Sequence, residues 1–292
     1  MNLQKYNLTE EQKKFFIKNS SGYQPFKIDN NRESIARGYW PPPTPEHQWF
    51  YDQKKKANEN MTAHWNGGGH MVLDKTQVSE TEWNKYIKHN DMHNNMFDSF
   101  IEGALSLVDT PETVIDVGCN DGSLLLKSLE RGCKKGIGYD AAKEHGKIFD
   151  LWKDVTEHDI TFVPEKYDSE IHCIPNCQSG DFVIANAILC HISDPLYFIK
   201  FLSKITNKVL LISCGVENKD GFTINFHGKP KQYGHGEFPN VFTHHTTITK
   251  PLFMYALKEC GFTEIYEIEH EDTWPPKYWY YGQNMMGFIA KK

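Results

Sequence analysis

Apolar residues change their spacing near residue 112, and the change divides the chain. Before that point they recur at helical intervals. Leu8-Thr-Glu-Glu-Gln-Lys-Lys-Phe-Phe-Ile17 predicts a short helix capped by Thr9. Ser79 to Lys88 predicts another, with Ser79 as cap and Glu82 at the capping-box position. Met92 to Leu107 predicts a stronger helix, because Met96, Phe97, Phe100, Ile101 and Leu105 share one face. Asp109, Thr110 and Pro111 end it. Beyond residue 112, short apolar runs alternate with amphipathic segments. Strands are expected at Val114–Val117, Gly136–Tyr139, about Ile160–Val163, Asp181–Leu189 and Lys208–Cys214. Helices are expected at Ser123–Arg131, Ala141–Asp154 and Pro195–Ile205. A last helix, Lys250–Cys260, stops at Gly261, and two apolar-rich strands follow at Thr263–Glu269 and Met285–Ala290. Strand alternating with helix predicts an α/β fold, a mostly parallel sheet with helices on both faces. Residues 1–90 are expected as an N-terminal extension or lid, and residues 91–292 as the main domain.

The pattern turns sharply at Val114-Ile-Asp-Val-Gly-Cys-Asn-Asp-Gly-Ser123. An apolar run broken by Asp116 meets Gly118 and Gly122, and Leu124-Leu-Leu126 opens the next helix. Asp140 closes the following apolar segment, Gly136-Ile-Gly-Tyr-Asp140. A glycine turn after one strand and an acid at the tip of the next suit a ribose-bearing cofactor.

The stretch Asp116-Val-Gly-Cys-Asn-Asp-Gly122 also resembles the first motif of the class I S-adenosylmethionine (SAM) methyltransferases. Gly118 and Gly122 match that motif, while Asn120 stands in place of its middle glycine. A nicotinamide-binding turn would instead read G-x-G-x-x-G, which is not present here. The resemblance spans about residues 92–292. It implies a Rossmann-like fold ending in an antiparallel strand pair, with SAM as cofactor. It further implies that Asp116 orients the turn and the cofactor's amino-acid portion. Gly118, Cys119, Asn120 and Gly122 would line its methionine and ribose side. Asp140 would accept from both ribose hydroxyls, since a carboxylate has two acceptor oxygens. The adenine side falls to Tyr167 or Asp168, after the third strand. Asn186 would sit near the methionine end. Asn186-Ala-Ile-Leu-Cys-His-Ile-Ser-Asp-Pro195 resembles a loop of small-molecule methyltransferases, which implies His191 as a general base. A packing or helix-capping role for His191 stays open.

Composition narrows the class. The net charge is -6 and the pI about 6.2, so a general nucleic-acid partner is not expected. No run of 18 apolar residues occurs, so no membrane span is expected. Seven scattered cysteines suit reduced thiols in a cytoplasm. Arg37-Gly-Tyr-Trp-Pro-Pro-Pro-Thr-Pro45 must be extended, and with Trp49 and Phe50 it is expected either over a pocket or as a surface arm. The insertion Gly215–Thr249 carries His227, His235, His244, His245, Lys229 and Lys231, and is expected to cover the acceptor pocket. Its histidines lack the spacing of a known metal site, and Cys173-Ile-Pro-Asn-Cys177 has no matching second pair, so no metal is expected. The aromatic loop Trp274–Tyr281 is expected to grip a ring or pack the sheet edge. These features lead to an expected activity: SAM-dependent O-methylation of a small molecule or sugar derivative. An RNA-modifying methyltransferase with a local basic patch, and a non-catalytic SAM-binding protein, are the alternatives.

Overall fold

The computed structural model describes residues 1–20, 24–34, 72–227, 245–268 and 285–292. The chain opens with α1 (Glu10–Asn19), whose cap Thr9 and Gln12 form a reciprocal capping box. Two short strands, β1 (Arg32–Ser34) and β2 (Val72–Asp74), pair antiparallel, with Ser34 opposite Val72. Leu3, Phe16, Phe26 and Ile28 from this region are buried in the same core as Phe97 and Trp152. Phe16 meets the Phe26 ring edge-on at 4.6 Å and the Trp152 ring at 5.1 Å.

One helix, α2 (Glu80–Leu105), replaces the two expected between Ser79 and Leu107. Ser79 caps it as expected, accepting the Glu82 N–H at 3.2 Å. The polar stretch around residue 90 does not break it. Asn90 is buried, and its side-chain amide donates to Ser34 O at 2.8 Å and to Glu33 Oε2 at 3.2 Å. The expected division between residues 90 and 91 therefore lies inside a continuous helix.

The alternating part forms β3 (Thr113–Val117), α3 (Ser123–Leu129), β4 (Lys135–Tyr139), α4 (Gly146–Val155), β5 (Asp159–Val163), β6 (Gly180–Asn186), α5 (Pro195–Ile205) and β7 (Thr206–Glu217). After it come β8 (Ile224–His227), β9 (His245–Thr249), α6 (Lys250–Glu259), β10 (Glu264–Ile268) and β11 (Met285–Lys291). Hydrogen-bonded neighbours run β10-β11-β7-β6-β3-β4-β5. The strands β7, β6, β3, β4 and β5 are parallel, and β11 is antiparallel to both β7 and β10. This is the Rossmann-like sheet with its antiparallel ending.

Successive residues of each central strand enter opposite cores, as period two requires. Val114, Phe182, Ile184, Val209 and Leu211 pack with α2, α3 and α4. Ile115, Val117, Val183, Ala185, Leu210 and Ile212 pack with α5 and α6. Burial on both faces explains why these strands read as unbroken apolar runs.

Three local expectations are corrected. The strand expected to reach Leu189 stops at Asn186, because Ala187 turns left-handed at φ 54. The helix expected from Ala141 begins with a 3-10 turn, Lys143–His145, and is α-helical only from Gly146. The insertion expected as a loop contains β8 and β9, which pair antiparallel, and β9 runs parallel to the end of β7. The proline-aromatic segment, His235, His244, Lys229, Lys231 and Trp274–Tyr281 lie outside the described residues.

Candidate cofactor and acceptor site

All five parallel strands end on the same side of the sheet, and the expected site residues collect there. Register fixes their relative heights. Asp116 lies opposite Ile184 of β6 and Gly138 of β4, so Gly118, Asp140 and Asn186 each fall two residues beyond a registered row. Gly138 lies opposite Phe162, which puts Pro164 in the same position beyond β5 and Glu165 one residue further on.

The turn after β3 has left-handed backbone at Gly118 (φ 78), Asn120 (φ 49) and Gly122 (φ 74). A side chain at Gly118 would also meet Ile188, whose Cδ1 lies 2.8 Å from the place of a Cβ. The Tyr139 carbonyl accepts from the N–H groups of Gly118 at 2.8 Å and Cys119 at 3.2 Å. Asp140 then closes the turn: Oδ2 accepts the Asn120 N–H at 3.0 Å, and Oδ1 accepts the Ala142 N–H at 2.9 Å. Each oxygen keeps a second lone pair.

Asp116 is buried, and its Oδ1 has no hydrogen-bond partner among the described residues. Burial first, and the charge of Asp140 second, raise its carboxyl well above the ordinary aspartate range. Cys119 is buried beside it, and burial first, then the charges of Asp116 and Asp140, push its thiol well up. Asn186 closes β6 at the other side of the turn and accepts a hydrogen bond from the Ser213 hydroxyl. His191 belongs to the 3-10 turn Leu189–His191 that follows, with its N–H on Ile188 O at 2.8 Å.

The turn therefore brings together Asp116, Gly118, Cys119, Asn120, Gly122 and Asp140, with Asn186 at its edge. Tyr167 and Asp168 are placed differently. The Tyr167 ring is buried against Phe198 and Phe201, so it presents no open face to a base. The Asp168 carboxylate accepts the Glu170 N–H at 2.8 Å, inside its own loop. Glu165 is the residue that reading the sequence passed over. Its Oε2 is buried without a hydrogen-bond partner among the described residues. The available signal was its place just past the end of β5, on the side of the sheet where the turn after β3 lies.

These features fit SAM. An orphaned buried carboxyl at Asp116, free lone pairs on Asp140 and an orphaned oxygen on Glu165 offer acceptors for a cofactor rich in N–H and O–H donors and carrying positive charge. Among the described residues no cluster of three or more His, Cys, Asp or Glu could hold a metal ion. Among those residues, too, no helix is long and apolar enough to cross a membrane.

Comparison with known proteins agrees with this geometry. Residues 89–266 match the family model described as "Methyltransferase domain". The tRNA U34 carboxymethyltransferase of Campylobacter fetus subsp. fetus is 26% identical over 178 residues, covering 60% of this chain and 56% of that protein. The enzyme of the same name from Campylobacter jejuni subsp. doylei is 29% identical over 131 residues, covering 44% of this chain and 40% of that protein. The chain thus spans about half the length, or less, of these curated relatives. Among solved structures, 1,6-didemethyltoxoflavin-N1-methyltransferase from Burkholderia thailandensis superposes with TM-score 0.47 at 14% identity, over 92% of this chain and 99% of that one. The family rests on the domain match and not on that superposition. By that match, which covers more than half of the residues, the chain belongs to the SAM-dependent methyltransferases and takes SAM as its cofactor.

Proposed function

We propose that the methyl acceptor is a nucleoside of transfer RNA. One observation carries this reading: the similarity over 178 residues to enzymes named tRNA U34 carboxymethyltransferases. The net charge of -6 weighs against a general nucleic-acid binder, so the contact would have to be local. Lysines of the insertion supply candidates in Lys219, whose side chain is exposed, and Lys229 and Lys231. In the same reading Asp140 takes the ribose hydroxyls and Asp116 the amino-acid end of the cofactor. Gly118, Cys119, Asn120, Gly122 and Asn186 line its methionine and ribose side, and Glu165 takes the adenine side in place of Asp168. The bound cofactor supplies a methyl group on a positively charged sulfur, leaving the protein to align an acceptor and remove its proton.

The second reading is O-methylation of a small molecule or sugar derivative. The loop from Asn186 to Pro195, with His191 as its base, favours it. The two readings separate in one experiment. Purified full-length chain is given SAM labelled in the methyl group, with total tRNA in one arm and a low-molecular-mass cell extract in the other. Label in tRNA supports the first reading. Label only in the extract replaces it with the second. Label in neither, with SAM binding intact, leaves a non-catalytic SAM-binding protein.

A further inference from the structure

We propose that His172, held by Asp194, is the residue that takes the acceptor's proton during methyl transfer. This rests on the methyltransferase assignment and not on which acceptor is used. His172 Nδ1 lies 2.6 Å from Asp194 Oδ2. The same oxygen accepts the Tyr167 hydroxyl at 2.8 Å, and Asp194 Oδ1 is buried with no hydrogen-bond partner among the described residues. A carboxylate facing Nδ1 keeps a proton on that nitrogen, so the Nε2 lone pair is the basic one. The ring is held flat against Tyr197, with centroids 4.0 Å apart and planes 10° apart. The His172 backbone is left-handed, at φ 53, within a bridge between Asp168 and Cys173. The Asp194 side chain is 17% exposed, but that of His172 is 40% exposed. The carboxylate end is therefore closed off while the imidazole remains open to an acceptor.

Both segments that carry the pair are tied to the cofactor turn. Asp194 ends the loop that starts beyond Asn186, and Ile188 of that loop presses on Gly118. The His172 segment is fastened at its far end by the Gln178 N–H, which donates to the Tyr139 hydroxyl at 3.0 Å, one residue before Asp140. Ser169 and Ser193 join the two segments to each other at 2.9 Å. His191, the base expected from the sequence, lies on the same loop, three residues before Asp194. The titratable groups around the imidazole are Tyr167, Asp168 and Cys173 of its own segment, with Asp194 and Tyr197 at the start of α5.

The step balances simply. Nε2 takes the proton from the acceptor's O–H or N–H. The acceptor lone pair forms the new bond to the methyl carbon, and the electron pair of the carbon–sulfur bond stays on sulfur. The imidazolium that results sits beside the Asp194 carboxylate.

Two measurements on the full chain test this. Long-range nitrogen–proton spectra of the histidine rings, with the His172 signals assigned by their loss in His172→Gln, should show the neutral ring protonated on Nδ1, and Asp194→Asn should weaken that preference. In whichever pool accepts label, tRNA or extract, His172→Gln should lower turnover about 10²–10⁴-fold with unchanged SAM affinity by calorimetry. Added imidazole should restore part of the activity of His172→Gly, which a purely structural role would not allow. A neutral ring protonated on Nε2, or wild-type turnover in His172→Gln, overturns the proposal. A loss confined to His191→Ala also overturns it and returns the role to His191. Transfer to neither pool defeats the proposed acceptors, and the ring spectrum then decides the pair by itself.

Discussion

Asn120 stands where the family motif has a glycine, and its backbone shows why the exchange works. The residue sits at φ 49, in the left-handed region, where asparagine is among the few side chains regularly found. The chain has kept the turn and changed the residue that makes it. Asn120→Gly should accordingly keep stability and SAM binding. Asn120→Val should cost about 1–2 kcal/mol, the ordinary penalty for a left-handed L-residue, and more for a branched one. Urea unfolding of both variants checks this, and equal stability would show that the turn relaxes at no cost. Asp140 carries the companion prediction. It already holds two backbone N–H groups, so Asp140→Ala loosens the turn and removes the proposed ribose acceptor together. SAM affinity should fall by about 1.5–3 kcal/mol, the range for hydrogen bonds to a charged group. Calorimetry giving wild-type affinity in a folded variant would remove Asp140 from the ribose site. As candidates these residues were legible in the sequence, because a glycine-bearing turn after one strand and an acid at the tip of the next are each local patterns. Glu165 and the His172–Asp194 pair were not, since nothing in a linear sequence brings residues 172 and 194 to 2.6 Å.

At the scale of elements, periodicity located every central strand and helix, because burial on both faces writes the pattern directly into the sequence. It failed where a polar residue has a distant partner. Asn90 looks like a helix break until Glu33 and Ser34 are seen to receive its amide. The pair β8 and β9 was hidden in the same way, since Thr246, Thr247 and Thr249 read as polar loop yet are buried. Their anchor is Glu217 at the end of β7. It accepts the Thr247 hydroxyl at 2.5 Å and the Asn225 amide at 3.1 Å, and it pairs with Lys219 at 2.9 Å. Those contacts, the Thr247 hydrogen bond foremost, lower its carboxyl from 4.5 to about 2. A lowered folded value means the stabilisation is complete above the unfolded pKa and is lost as pH falls through the folded one. The window runs from about pH 4.5 down to about pH 2, and the full effect is at most about 3 kcal/mol by the linkage relation. Glu217→Gln should therefore be less stable than wild type at neutral pH, and the gap should close across that window. A gap that persists at pH 2 would show that the side chain acts by packing and not by its charge. Helices α2 and α3 are joined by a similar device. Asp98 pairs at 2.7 Å with Lys127, whose side chain is only 8% exposed, and at 2.7 Å with Arg131. Asp98→Ala leaves that lysine unpaired, so urea unfolding should show a loss of about 2–3 kcal/mol, below the ~3–5 kcal/mol of a fully buried pair.

For the whole molecule, the N-terminal region divides in a way that composition did not show. Residues 1–20 and 24–34 carry part of the core, because Leu3, Phe16, Phe26 and Ile28 are at most 1% exposed. Removing them would expose the Trp152 side of α4, at about 1.5–3 kcal/mol for each large side chain that loses its burial. Deleting everything before residue 71 would thus test folding and not function. The ladder between β1 and β2 offers a cleaner cut. Ser34 lies opposite Val72 in an antiparallel pair, so the two ends of the intervening stretch are neighbours. Residues 36–70 can be replaced by a short glycine-asparagine turn that keeps both strands. Each halving of the connection lowers its closure cost by about 0.6 kcal/mol, so the shortened chain should be at least as stable as the parent. The residues proposed for the cofactor side lie after residue 114, so SAM affinity should be unchanged. Acceptor turnover should fall sharply, because the excised stretch holds Tyr39, Trp40, Trp49 and Phe50, rings suited to cover or stack on an acceptor. Full turnover in a folded, SAM-binding excision variant would show that this segment takes no part in holding the acceptor. That duty would then pass to the insertion between β7 and α6, where the same excision strategy can be applied between β8 and β9, whose facing ends His227 and His245 are likewise paired.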